Sequence, residues 1–218
     1  MSLALFDLDK TLINGDSDFL WGEFLVEVGA VDKTDYQSKN QDFFDDYAKG
    51  KLDIKKYLEF CLQPLSKYNI KQLHTWRDEF IIRKIKPIIT KKALSVVKKH
   101  QDRGDTLVVI TATNQFVVEN IVKLFDIPNL IATNAEFKDG KYTGKSNGVP
   151  CFREGKITNL NLWLENNSYN LKDSYFYSDS FNDLSLLKLV DNPIVINADN
   201  KLLEFAKENN WKIDNWIV

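Results

Sequence analysis

The chain has 218 residues, of which 44% are hydrophobic, and its 29 basic and 31 acidic side chains give a formal net charge of −2. This length suits one large domain or a domain with an insert, and the hydrophobic fraction is enough for a buried core. The near-neutral charge argues against nucleic acid as a partner, and the two cysteines, Cys61 and Cys151, form neither a disulfide framework nor a zinc pattern.

The first element is the run SLALFDL (residues 2–8), which is apolar on both faces, as is typical of a short strand buried in a parallel sheet. No basic segment or cleavage site precedes it, so we expect no signal peptide. No later stretch has the roughly 20 apolar residues of a membrane span. We therefore expect a cytoplasmic protein without a membrane partner, either monomeric or homodimeric.

A block of helical segments follows the first strand. Between about Ser17 and Lys86, apolar residues recur at helical spacing in four segments, and the fourth is predicted to end before Pro87. Asp16, Ser17 or Asp18 is the predicted N-cap of the first helix. No strand pattern interrupts this block, which indicates a small helical module.

In the remainder of the chain, helical and strand patterns alternate, which is typical of βαβ units. The pair Asp139-Gly140 predicts a β-hairpin between two of the strand patterns. Because the first strand fits the same sheet, the predicted fold is α/β, a doubly wound and mainly parallel sheet with an inserted helical cap domain. The predicted core domain comprises residues 1–15 and 87–218, and the predicted cap domain comprises residues 16–86.

Polar residues stand where the predicted strands end. Asp7 and Asp9 close the first strand, Thr111 closes the strand VVIT, and Asp179 closes the strand SYFYSD, with Asp183 four residues later. Because ligands bind at the carboxyl ends of the strands in an open parallel sheet, we expect these side chains to share one site.

Carboxylates crowded at one site raise one another's pKa, and a cation among them stabilises the cluster. Oxygen ligands without His or Cys favour magnesium, completed by a substrate phosphate. Lys156, near the start of the helix REGKITNLNLWL, and the Thr111 hydroxyl can hold phosphoryl oxygens. The pattern predicts phosphoryl transfer with Asp7 as the nucleophile. Asp9, two residues along an extended chain, lies on the same side and is the predicted general acid and base.

In chain order, DLDKT, VVIT, the isolated Lys156 and SDSFND resemble the four motifs of the haloacid dehalogenase superfamily. The helical insert after the first motif is similar to the branch that contains phosphoserine phosphatase. The resemblance implies a Rossmann-like core with Asp7 as the nucleophile and Asp9 as the acid and base. It also implies that Thr111 binds the phosphoryl group with the help of the Ala112 amide, and that Lys156 neutralises the phosphoryl group and Asp7.

The resemblance further implies a Mg²⁺ cofactor with Asp7, Asp9 and Asp179 as ligands, Asp9 through its backbone carbonyl. Asp183 is implied either as a ligand through water or as a support for Lys156. Two more positions are implied to contact the substrate. Asp16 falls where phosphoserine phosphatases carry an acid for the substrate amine, and Asn182 lies within reach of substrate or phosphate.

Three stretches depart from the phosphoserine phosphatase pattern. The chain has TAT where those enzymes usually have Ser-Gly-Gly, and SDS where they have Gly-Asp-Gly. No arginine lies between Asn40 and Asn69 to bind a substrate carboxylate, and Arg77 and Arg83 lie at the far end of the predicted cap. The pattern is more similar to an offshoot of that branch, some members of which are called histidinol-phosphatase-like. The resemblance thus implies a small phosphomonoester substrate, either phosphoserine-like or histidinol-phosphate-like.

Two other functions fit parts of the pattern. A phosphotransferase or mutase would use the same groups but pass the phosphoryl group to an acceptor other than water. A phospho-aspartate signalling module of the response-regulator type also combines aspartates, a threonine and a lysine on a doubly wound sheet. The Asp-x-Asp pair, the late SDSFND motif and the helical insert argue against the signalling module.

Overall fold

A seven-stranded sheet forms the centre of the computed structural model, which describes residues 2–217. The strands are β1 (Leu3–Phe6), β2 (Thr106–Asn114), β3 (Asn129–Lys138), β4 (Lys141–Asn147), β5 (Tyr175–Ser178), β6 (Asn192–Ile196) and β7 (Lys212–Asp214). Their order is β4-β3-β2-β1-β5-β6-β7, and every neighbouring pair is parallel except β3 and β4. The predicted hairpin joins these two strands, and Asp139 and Gly140 both have the positive φ of its turn.

Helices cover both faces of the sheet. Within residues 2–217 they are α1 (Ser17–Glu27), α2 (Lys33–Ala48), α3 (Ile54–Lys67), α4 (Ile70–Phe80), α5 (Lys91–Asp102), α6 (Gln115–Lys123), α7 (Glu154–Asn167), α8 (Leu184–Leu187) and α9 (Asn200–Glu208). None of them is long and apolar enough to cross a membrane.

The alternation of side chains along β1 explains why the sheet has two apolar cores. Ala4 and Phe6 point into the core shared with α5 and α6, whereas Leu3 and Leu5 point into the core shared with α7, α8 and α9. A strand that is buried on both faces needs such an uninterrupted apolar run. The predicted α/β class and mainly parallel sheet are therefore confirmed.

The four helices inserted after β1 lie against the first of these cores. Trp21 of α1 contacts Phe116 of α6, with ring centroids 5.9 Å apart. Asp16 caps α1, since the Phe19 N–H donates to its Oδ1 at 2.9 Å. The beginning of α1 therefore lies where Asp7 and Asp9 leave the sheet. The division into a core domain and a cap domain, residues 16–86, remains a prediction.

Two elements differ from the sequence-based expectations. The fourth inserted helix ends before Pro87, as predicted, but it is not α-helical throughout: α4 ends at Phe80, a π-helical segment (Ile81–Ile85) extends it, and a separate 3-10 turn (Lys86–Ile88) follows. Pro87 fits there because the first turn of a helix does not use its missing N–H. The short edge strand β7 was not predicted, because three residues reading KID carry no alternating apolar pattern.

Candidate active site

One cavity at the carboxyl ends of β1, β2 and β5 gathers most of the predicted site residues. The inserted helices form its opposite wall. The predicted residues that line it are Asp7, Asp9, Asp16, Thr111, Ala112 and Asp179. Lys156 and Asp183 are not among these lining residues. Lys156 donates one hydrogen bond to Asp7 and one to Asp183.

Lys156 bridges two carboxylates in the interior. Its Nζ donates to Asp7 Oδ1 at 2.7 Å and to Asp183 Oδ2 at 2.8 Å, and the side chain is only 3% exposed. Burial by itself lowers the pKa of Lys156, but Asp183 and Asp7 raise it well above its usual value. The Ser178 hydroxyl also donates to Asp183 Oδ2, at 2.7 Å. The ammonium group therefore stays charged, and Asp183 holds it against Asp7.

Asp7 and Asp179 are two buried carboxylates with too little positive charge nearby. Burial raises the pKa of Asp7 to about 7, although Lys156 acts in the opposite direction. Burial, and then repulsion from Asp7, raises the pKa of Asp179 well above its usual value. Charged carboxylates in such a position are stabilised by a cation that binds both of them.

A magnesium ion fits this donor set. Within residues 2–217 no three His, Cys, Asp or Glu side chains converge as a metal site made of side chains alone. Magnesium needs no such cage, because one or two carboxylates, water and a substrate phosphate complete its shell. Asp7 and Asp179 would supply the two carboxylates, because both line the cavity and both are hard oxygen donors. All four predicted ligands, Asp7, Asp9, Asp179 and Asp183, remain predictions.

Asp9 is held in a fixed orientation by two donors. The Ser17 N–H donates to Asp9 Oδ1 at 2.6 Å, and the Thr113 hydroxyl donates to Oδ2 at 2.9 Å. Burial, together with repulsion from Asp16, raises the pKa of Asp9 to about 6. A carboxyl group with a pKa near neutrality can both donate and accept a proton at physiological pH, which suits a general acid and base.

Thr111 and Ala112 lie where β2 becomes irregular. The register of β2 with β3 shifts between Ile110 and Asn114, so the strand continues past its predicted end at Thr111. The Thr111 hydroxyl accepts a hydrogen bond from the Thr113 N–H at 3.2 Å and faces the cavity. Thr113 was missed at the sequence level, although its spacing of two residues from Thr111 puts it on the same side of an extended chain.

Asn182 is not among the residues that line the cavity. Its Oδ1 accepts a hydrogen bond from Arg153 Nε at 3.1 Å, and its amide donates to the Tyr47 carbonyl at 3.4 Å. The Arg153 guanidinium also donates to the Gly50 carbonyl at 2.6 Å. Asn182 and Arg153 thus fasten the end of α2 to the core, and substrate contact by Asn182 remains a prediction.

The wall formed by the inserted helices is mainly aromatic. Its aromatic members are Phe19, Phe43, Phe44, Tyr47 and Tyr57, beside Asn40, Leu52 and Ile54, and Phe152 lines the cavity from the core side. Asp18 also lines the cavity and was not predicted as a site residue. Nothing in the sequence indicated this role, because acidic residues are common at the start of a helix, where they interact favourably with the helix dipole.

Comparisons with known proteins agree with the fold. The profile of the family described as haloacid dehalogenase-like hydrolase matches residues 4–188. A histidinol-phosphatase from Neisseria meningitidis serogroup C (strain 8013) is 43% identical over 219 residues, covering 99% of each chain. The crystal structure of a protein of unknown function from Bordetella pertussis Tohama I superposes with a TM-score of 0.94 at 40% identity, covering 99% of both chains.

A more distant structure shares the fold. It is a phospho-aspartyl intermediate analogue of phosphoserine phosphatase, with a TM-score of 0.71 at 21% identity over 97% of this chain and 91% of that chain. The family profile covers most of the sequence and includes all four motifs. The chain therefore belongs to the haloacid dehalogenase-like hydrolase family, as its ordered motifs predict, and is an enzyme with relatives named as phosphatases.

Proposed function

We propose that this enzyme is a magnesium-dependent phosphatase that hydrolyses a small phosphomonoester through an aspartyl-phosphate on Asp7. The observation that carries the proposal is the buried Asp7–Lys156 pair, with Asp9 and Asp179 beside it in one cavity. Magnesium held by Asp7 and Asp179 would supply positive charge to the phosphoryl oxygens. The Thr111 hydroxyl and the Ala112 N–H would orient that group for in-line attack.

The first half of the reaction transfers the phosphoryl group to the enzyme. A carboxylate oxygen of Asp7 attacks phosphorus, the ester P–O bond breaks, and Asp9 donates its proton to the departing alkoxide. Lys156 favours the ionised form of Asp7, because it lowers a pKa that burial raises to about 7. Asp9 has a pKa of about 6, so a useful fraction is protonated at neutral pH.

The second half returns the enzyme to its starting state. Asp9, now a carboxylate, accepts a proton from a water molecule, whose oxygen attacks phosphorus. The acyl–phosphate P–O bond breaks, inorganic phosphate leaves and the Asp7 carboxylate is restored. The Ser17 N–H and the Thr113 hydroxyl hold Asp9 in place for both proton transfers.

A histidinol-phosphate-like substrate fits this cavity better than phosphoserine. The close relative from Neisseria is named histidinol-phosphatase. No arginine is among the described residues that line the cavity. Arg77 of the inserted helices is buried elsewhere, where it donates to the Phe116 carbonyl and to Glu119. A substrate carboxylate would therefore find only Lys10 as a cationic partner among these lining residues.

Phosphate release from a panel of phosphomonoesters tests the proposal. The panel contains histidinol phosphate, phosphoserine and p-nitrophenyl phosphate, each with magnesium and with chelator. We expect magnesium-dependent release that is fastest with histidinol phosphate and absent in Asp7→Asn. Failure of a folded wild type to release phosphate from any ester would contradict the proposal. Phosphorylation of an added alcohol at the expense of phosphate release would favour the phosphotransferase alternative.

A further inference from the structure

Asp18 is a cavity residue to which the proposed chemistry gives no role. It is the second residue of α1, is 8% exposed and lines the same cavity as Asp7 and Asp9. An acid in the first turn of a helix interacts favourably with the helix dipole, and this explains many such residues. That interaction does not require burial, and burial of a carboxylate costs free energy.

The hydrogen bonds to Asp18 do not compensate for this burial. The Asn114 amide donates to Asp18 Oδ1 at a long 3.4 Å, and the Tyr57 hydroxyl is the other side-chain donor beside it. A carboxylate has about four acceptor positions, so about half of those on Asp18 remain available. Burial therefore prevails over these donors and raises the pKa of Asp18 to about 7.

The side chains around Asp18 favour a cation in the cavity. The aromatic rings of Phe43, Phe44 and Tyr57 line the same wall, and aromatic faces attract cations. Lys10 is the one cationic residue among the described lining residues, and its Nζ lies 4.8 Å from the centre of the Phe44 ring. Lys10 also lowers the pKa of neighbouring Asp16, against the larger raising effect of burial.

Asp18 lies on the wall of the cavity that the inserted helices form. Its acidic neighbours are Asp16 and Asp9, whereas Asp7 interacts chiefly with Lys156 and Asp183. Asp18 belongs to the inserted helices, and the phosphoryl-binding groups belong to the sheet. A substrate bound with its phosphate at Asp7 would therefore direct its other end toward α1.

We propose that Asp18, with the Tyr57 hydroxyl and the ring of Phe43, forms a subsite for a protonated nitrogen of the substrate, an amine or an imidazolium. This inference rests on the proposed phosphatase function and adds the residues that select a substrate with a cationic nitrogen. The subsite binds the cation by a charge-assisted hydrogen bond in a desolvated place, and it repels esters that carry a carboxylate there. It acts on specificity and takes no part in the transfer itself.

The test compares Asp18→Asn with a matched control, Asp42→Asn. Both variants remove one carboxylate from the inserted helices, but Asp42 is exposed on α2 and is not among the residues that line the cavity. Each is assayed with histidinol phosphate, which carries protonated nitrogens, and with p-nitrophenyl phosphate, which carries none. For Asp18→Asn we expect kcat/KM to fall about 10- to 100-fold with histidinol phosphate, mainly through KM. With p-nitrophenyl phosphate the change should stay within about 3-fold, and Asp42→Asn should change neither.

Thermal unfolding separates this role from a structural one. Asparagine has the shape of aspartate without its buried charge, so the Tm of Asp18→Asn should equal or exceed that of wild type. A lower Tm together with equal losses of kcat/KM on both substrates would show that Asp18 has a structural role and would overturn the proposed subsite. A wild type that hydrolyses p-nitrophenyl phosphate without preferring the cationic ester would also overturn it, while the phosphatase function would stand. A folded wild type that hydrolyses neither ester would overturn both proposals.

Discussion

Replacement of Lys156 by methionine should destabilise the protein and slow turnover for the same electrostatic reason. Met removes the ammonium group but keeps a flexible apolar stem of similar length. The variant leaves Asp7 and Asp183 buried without the cation that bonds to both at 2.7 and 2.8 Å. Breaking a buried ion pair by removing one partner costs about 3–5 kcal/mol. The loss of orientation and charge at the nucleophile should lower kcat by about 10²- to 10³-fold.

The pH dependence of the lost free energy of unfolding gives the sharper test. Burial already raises the pKa of Asp7 to about 7 against the effect of Lys156, so the pKa rises further when Lys156 is absent. An acid whose pKa is raised by folding stabilises the folded state less as pH increases through that pKa. The variant should therefore lose more free energy of unfolding at pH 8 than at pH 5, where Asp7 is protonated and neutral.

Urea unfolding at both pH values, with chelator present, measures this difference. The matched control is Lys172→Met, which removes a lysine that is exposed. We expect the control to stay within about 0.5 kcal/mol of wild type at both pH values. A loss for Lys156→Met below about 1 kcal/mol at pH 8, or an equal loss at pH 5 and pH 8, would refute the view that this lysine compensates buried carboxylates.

Three further predictions concern Asp9 and the inserted helices. Asp9→Asn should lower kcat about 10²- to 10⁴-fold with unchanged Tm, because the variant keeps the shape of the side chain but cannot exchange a proton. Steady-state phosphate release measures kcat, and calorimetry measures Tm. Thr113→Val removes a hydrogen bond that lowers the pKa of Asp9, so the acidic limb of the kcat–pH profile should move to higher pH. An acidic limb at the same pH as in wild type would contradict the role of Asp9 as a base. Gly22→Ala should lower the free energy of unfolding by about 1–3 kcal/mol, because the alanine Cβ would lie 2.6 Å from Asn40 Nδ2 where α1 meets α2. Urea unfolding measures this change, and an unchanged free energy would show that α2 shifts freely.

The sequence was informative wherever a buried strand ended in a polar residue. The apolar run before Asp7 predicts both the strand and the edge at which it ends, and the same holds for Asp179. The run before Thr111 predicts the strand but not its end, because β2 continues to Asn114. These positions are readable because the topology of a parallel sheet brings its carboxyl ends together. Lys156 was harder to predict, since only its order among the motifs, and not its local pattern, marked a lysine that turned out to be 3% exposed.

The wall opposite the sheet was much less predictable. Asp18 and Tyr47 line the cavity because of how α1 and α2 pack, and helical spacing alone does not decide which face meets a cavity. Arg153 has a positive φ of 50° at the beginning of α7 and links the core to Gly50 of the insert. Nothing in the local sequence indicated that long-range contact, since it depends on the position of α2 in three dimensions.

Trapping the phosphoryl group tests the central claim most directly. Asp9→Asn should still transfer phosphate from p-nitrophenyl phosphate, which has a good leaving group, but should hydrolyse the phosphoenzyme slowly for lack of a base. Rapid acid quench followed by borohydride reduction and peptide mass spectrometry then locates the modified residue in the peptide of residues 1–10. The account predicts reduction of the Asp7 acyl phosphate to homoserine at that position. A phosphoryl group on any other residue, or product formation without a trapped phosphoenzyme in wild type and variant alike, would contradict it.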